Sequence, residues 1–65
     1  MNLSKSLKIA LVKADKSQAQ LAEDLGIKRQ VVNRWANSGN MTKETLEMLA
    51  DYFGMKPSEF VALGE

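Results

Sequence analysis

The chain has 65 residues, 45% of them apolar and 26% charged, with a formal net charge of +1 and neither cysteine nor histidine. A chain of this length makes one domain, expected over residues 1–65, and buries only about 60% of the surface it exposes when unfolded, which leaves little room for an enclosed small-molecule pocket. No unbroken apolar run is longer than that of Ile9 to Val12, too short for a membrane span or a signal-peptide core, and without cysteine there is no disulfide framework of the secreted kind, so an intracellular protein is expected.

In chain order, Leu3, Leu7, Ala10, Leu11 and Ala14 follow helical spacing and predict an amphipathic helix over 3–14. Ser17 with Gln20 three residues on is a capping-box pattern, in which each side chain satisfies an orphan backbone donor, and it predicts a second helix over 18–25. Gly26 should stop that helix in the left-handed conformation, with Ile27 folding back on Leu21 and Ala22. A third helix is expected over 28–36, and Gly39 in ANSGN breaks the chain after it. Thr42 can cap a fourth helix, with Met41 and Leu46 as a hydrophobic staple and Leu46, Leu49, Ala50 and Phe53 as its buried stripe. Gly54 ends it, and Pro57 suits the first position of a fifth helix carrying Phe60, Val61 and Leu63. No period-2 alternation supports a strand, so the expected class is all-α with five helices. The expected core is Leu7, Leu11, Leu21, Ala22, Leu25, Ile27, Val32, Trp35, Leu46, Leu49, Phe53 and Phe60.

Charge is divided along the chain. Residues 1–43 hold eight Lys or Arg against three acids, whereas residues 44–65 hold one Lys against five. By itself this is compatible with ordinary solvated surface; its meaning depends on which scaffold carries it.

Two short helices joined by a tight glycine turn form a helix-turn-helix, whose second helix is shaped to enter a DNA major groove. Ala22 must be small where the helices cross, and Leu21, Leu25, Ile27, Val32 and Trp35 must fill the angle between them. The segment SQAQLAEDLGIKRQVVNRWANSG resembles the helix-turn-helix of the lambdoid phage Cro proteins and repressors and their Xre-like bacterial relatives, most strongly over Ser17 to Trp35. The five-helix order extends that resemblance over about residues 3–63. It implies the lambda-repressor-like fold, a cytoplasmic, nucleoid-associated protein of a bacterial cell, and double-stranded DNA as partner. One position departs from the pattern. The recognition helix in this family often opens with Ser or Thr, and here Lys28 stands there, which removes a side-chain cap worth about 1 kcal/mol.

Arg pairs bidentately with guanine O6 and N7, and Gln with adenine N6 and N7. Arg29 and Gln30 open the third helix and Arg34 follows about one turn later; the aligned positions in the family reach base edges, so these three are the expected direct readers. Lys28 and Asn33 can read bases or hold phosphates. Gln18, at a helix start with unpaired N–H groups, is an expected phosphate contact, and Asn37, Ser38, Asn40, Thr42 and Lys43 are further candidates, although loop Asn and Ser also serve turns.

Because one recognition helix reads only a few base pairs, the resemblance implies a homodimer on a pseudo-palindromic operator, weakly associated and formed on DNA. Met55, Phe60, Val61 and Leu63, more apolar than one closing helix needs, are the expected self-complementary patch; the alternative is that all four pack inside the monomer. Glu44, Glu47 and Asp51 fit a solvated face rather than a cation site, since no His or Cys accompanies them. Met41, Met48 and Met55 fit gap-filling core or interface. With no His, no Cys and no phosphate-binding glycine loop, neither catalysis nor a metal or cofactor is expected. The expected function is a sequence-specific transcriptional regulator of Cro-like type that represses by occupying an operator. An antitoxin using the same fold to mask a toxin, or the DNA-binding part of a longer repressor, are the other readings.

Overall fold

A computed structural model describes residues 2–65, in which five helices follow one another: α1 (Leu3–Lys13), α2 (Gln18–Leu25), α3 (Arg29–Ser38), α4 (Lys43–Tyr52) and α5 (Pro57–Ala62). Among the described residues there is no strand. The all-α expectation therefore holds, with α1 one residue shorter than its periodicity suggests and α3 shifted to Arg29–Ser38. No helix is long and apolar enough to cross a membrane among the described residues.

Helix starts follow side-chain chemistry. Asn2, Ser17 and Thr42 each accept the backbone N–H three residues on, at 3.1, 3.1 and 3.2 Å, satisfying one of the orphan donors of each first turn. The expected capping box of α2 forms only by half. Gln20 does not reach back to Ser17; its Nε2 donates to Asp24 Oδ1 at 2.8 Å, a carboxylate one turn further along the same face.

Helix ends share a backbone device. At Gly26 (φ +69°) the Gly26 N–H bonds Glu23 O and the Ile27 N–H bonds Ala22 O at 3.0 Å, the paired closure of a Schellman turn. The same pattern closes α1 on a residue with no glycine: Asp15 has φ +55°, its N–H bonds Val12 O, and Lys16 N–H bonds Leu11 O at 2.9 Å. Aspartate enters this region at lower cost than most residues, which is why glycine punctuation in the sequence did not mark this end.

α1 packs on α3 and α5, α2 on α3, and α4 on α5. The fully enclosed core is Leu7, Ala10, Leu11, Leu21, Ala22, Val32, Ala36, Leu49, Ala50 and Phe60. Leu25, Ile27, Trp35, Leu46 and Phe53 pack against it but stay partly exposed. Their places at the centre go to Ala10, Ala36 and Ala50, because small side chains let helix backbones approach closely in a chain with too little volume to surround every large residue. Phe60 stacks on Phe53 with ring centroids 6.2 Å apart and has no accessible surface. It is a core residue with no surface to offer the expected dimer patch. Met55 and Leu63 are partly buried against the core and Val61 is partly exposed.

Two chain segments close on the start of α1. A Cβ at Gly39 would stand 3.0 Å from the Ser4 backbone nitrogen, and one at Gly64 would stand 2.1 Å from Asn2 O. Beside that second contact Ser6, fully buried, donates its hydroxyl to Val61 O at 3.2 Å. Helical periodicity alone does not reveal this buried polar tie.

On the other side, Lys16, Asp24 and Tyr52 join the turn after α1 to α2 and α4. Lys16 Nζ lies 3.4 Å from Asp24 Oδ2 and 5.6 Å from the Tyr52 ring centre, and the Tyr52 hydroxyl donates to the same carboxylate oxygen. The Tyr52 and Gln20 hydrogen bonds hold the Asp24 carboxyl below its ordinary pKa. Burial, then the Asp24 contact, raises Tyr52, and Tyr52, then Asp24, raises Lys16.

Two predictions follow from these contacts. A Cβ at Gly26 meets nothing within 4 Å, so Gly26→Ala should cost only the conformational strain, about 1 kcal/mol, with Gly26→Asn milder, while Asp15→Gly should stabilise by about 0.5–1 kcal/mol; thermal unfolding of the three variants measures this. For pH, a depressed Asp24 pKa gives stability that is present above the unfolded carboxylate value, about 4, and is lost as pH falls through the folded value. Urea unfolding from pH 7 to 3 should show a smaller acid loss for Tyr52→Phe than for the unaltered chain.

Candidate nucleic-acid interface

The Gly26 turn sets α2 and α3 at an angle that places the start of α2 beside the first turn of α3. Gln18, Lys28, Arg29, Gln30 and Asn33 line one open cleft there. Ser17 takes the Gln20 N–H, leaving the Ser17, Gln18 and Ala19 N–H groups as the unpaired donors of the α2 N-terminus. Donors from two helices and two kinds of group, amide and cation, thus converge on one surface.

Lys28 occupies the N-cap of α3 in extended conformation and makes no side-chain cap bond, as its residue type requires. Arg34, one turn after Gln30, is exposed and lies outside the cleft. Among the described residues the one ion pair is Lys16–Asp24, so Arg29 and Arg34 are held by no acid there. Charged donors without internal partners remain free to meet a polyanion.

Asn37 and Ser38 lie in the last turn of α3, Asn40 and Thr42 in the link beyond it and Lys43 at the start of α4, and the five divide into two groups. Asn37 Nδ2 donates to Asn33 Oδ1 at 3.1 Å, fixing the Asn33 amide with its own NH2 still available; the i, i+4 spacing of the two amides is the sequence signal for this pairing. Ser38 Oγ donates to Arg34 O at 2.8 Å and accepts the Asn40 N–H at 3.2 Å, while Thr42 caps α4. The hydroxyls of Ser38 and Thr42 therefore already serve the turn. Asn40 and Lys43 are exposed beside them, and none of these five lines the cleft.

An angle between two short helices held by a buried small residue, with unpaired cations and amides along the second, defines a DNA-binding helix-turn-helix module. A helix-turn-helix family model matches residues 7–60. The chain belongs to that family, of the Xre-like, lambda-repressor type, and is a DNA-binding helix-turn-helix regulator. Neither the curated proteins nor the solved structures contain a match to it.

The missing cap gives a prediction of opposite signs. Lys28→Ser should restore a cap and raise stability by about 1 kcal/mol in urea unfolding, and should weaken duplex binding at fixed ionic strength by removing a cation from the cleft.

Proposed function

We propose that this chain is a Cro-like, sequence-specific repressor, of phage or prophage type, that acts in the bacterial cytoplasm by occupying an operator and blocking polymerase. The observation that carries this reading is the convergence of Gln18 with Lys28, Arg29, Gln30 and Asn33 in one cleft at the helix-turn-helix. Arg29, Gln30 and Arg34 read base edges from the major groove. Lys28 and Asn33 contact bases or phosphates. Gln18 and the free N–H groups at the α2 N-terminus hold a phosphate that fixes the register of α3, and Asn37, Asn40 and Lys43, with Ser38 and Thr42 shaping their turn, border the next one.

A principal-axis extent of 26 Å at most is less than the ~34 Å between half-sites one turn apart. One chain therefore reads one half-site, which supports a two-fold dimer on a pseudo-palindrome. Met55, Val61 and Leu63 form its patch, small enough for pairing to be completed on the operator.

Selection of bound sites from random duplexes should yield a two-fold sequence. On it, Arg29→Ala, Gln30→Ala and Arg34→Ala should each cost about 1–3 kcal/mol and relax preference at one base pair per half-site, whereas Lys43→Ala should weaken all duplexes alike. With about six to eight phosphates neutralised per dimer, log K against log salt should have a slope of roughly −5 to −7. A saturated complex of one chain per complete site would overturn the dimer, and an Arg29→Ala variant that kept the original preference throughout would overturn the register.

A further inference from the structure

Val12, 79% exposed, and Met48, 40% exposed, are the large apolar side chains left outside among the described residues. They lie on faces of opposite charge. Around Val12, the exposed side of α1 forms a shallow groove lined by Lys8, Ile9, Val12 and Lys13; α1 carries three lysines and no acid, and Ile9 does not belong to the core cluster. Around Met48, the exposed side of α4 carries Glu44, Glu47 and Asp51. Neither face lines the α2–α3 cleft.

We propose that the α1 face centred on Val12 docks the α4 face centred on Met48 of a second copy of this chain. The stems of Lys8 and Lys13 border the groove with Ile9 and Val12, and methionine is the adaptable residue that fills such irregular apolar surfaces. Glu47 and Asp51 then meet the ammonium groups at the rim. A phosphate backbone would satisfy the lysines but offers nothing to Val12 and Ile9, so charge and apolar surface together select the protein face over nucleic acid. With one apolar centre on each side, this is a contact of the transient class, below about 1,200 Å². It gains effect when DNA holds two copies side by side, where it makes neighbouring occupancy cooperative. It is distinct from the Met55, Val61 and Leu63 patch of the operator dimer.

The test is sedimentation of the DNA-free protein at low ionic strength up to millimolar concentration, with circular dichroism confirming helical content. The unaltered chain should associate reversibly. Lys8→Glu with Lys13→Glu, and separately Glu47→Lys with Asp51→Lys, should each weaken association at least about tenfold, since two rim contacts turn from attraction to repulsion. Mixing the two reversed proteins in equal amounts should restore it. Val12→Asp mixed with Met48→Lys provides the same complementation if a doubly reversed protein fails to fold. A chain that stays monomeric throughout, or reversed variants that associate like the original, would overturn the proposal and, in the second case, leave self-association to the C-terminal patch. Loss without restoration on mixing would also overturn it; if duplex binding fell with the α1 reversal, those lysines would be assigned to nucleic acid.

Discussion

The Ile27 N–H closes on Ala22 O while Gly26 holds a left-handed backbone, and the direction in which α3 leaves α2 is settled by those bonds together with Leu21, Ala22 and Val32 beneath them. The turn itself is made by backbone, and the packing beneath it is apolar, so neither needs the outward side chains at positions 28 to 30 and 33 to 34. That separation lets one scaffold carry many recognition surfaces. It also means that the cleft has no existence apart from the turn, because Gln18 is brought to Lys28, Arg29, Gln30 and Asn33 from another helix.

α3 is secured at its other end by a different contact. Ala36 is fully buried and Gly39 passes against the Ser4 backbone, so the helix is clamped by α2 at its start and α1 at its finish. The same first turns of α1 receive the C-terminal turn through Gly64, and Ser6 ties Val61 to it. No buried side-chain polar atom lacks a partner among the described residues, which matters because an unpaired one would cost more than a typical hydrogen bond returns. α1 thus acts as the common support for the recognition helix and for α5, the helix that carries part of the proposed operator-dimer patch.

Most of this architecture was legible in the sequence because its cues are local. Ser17, Gly26, Thr42, Gly54 and Pro57 mark helix boundaries by capping and backbone conformation, and helical periodicity identifies the stripes that face inward. What the sequence did not disclose depends on groups far apart in the chain or on choices between equivalent partners. Tyr52 and Asp24 are 28 residues apart, and no spacing rule links them. Gln20 had two plausible partners, a backbone donor behind it and a carboxylate ahead, and the charged acceptor won, as a charge-assisted hydrogen bond is the stronger. Phe60 read equally well as core or as surface, because a six-residue closing helix is too short for its periodicity to separate the two. At the cleft, residue types identified the donors, but only the fold could place Gln18 among them and separate Arg34 from them.

Charges in this chain fall into two kinds. Those around Asp24 are satisfied by one another and join the turn after α1 to α2 and α4; those on α3 have no internal acid among the described residues and contribute nothing of that sort. α3 also begins without a side-chain cap, and a ten-residue helix of this composition does not hold itself together in water. Its helicity must come from burying Val32 and Ala36 against α1 and α2. Recognition is therefore contingent on packing remote from DNA: anything that loosens the α1–α3 contact disperses the donors of α3 before it removes any of them. An uncapped, cation-rich first turn is a local sacrifice of stability, and its positive side chains beside the open N–H groups of a helix N-terminus make it a place where an anion is favoured.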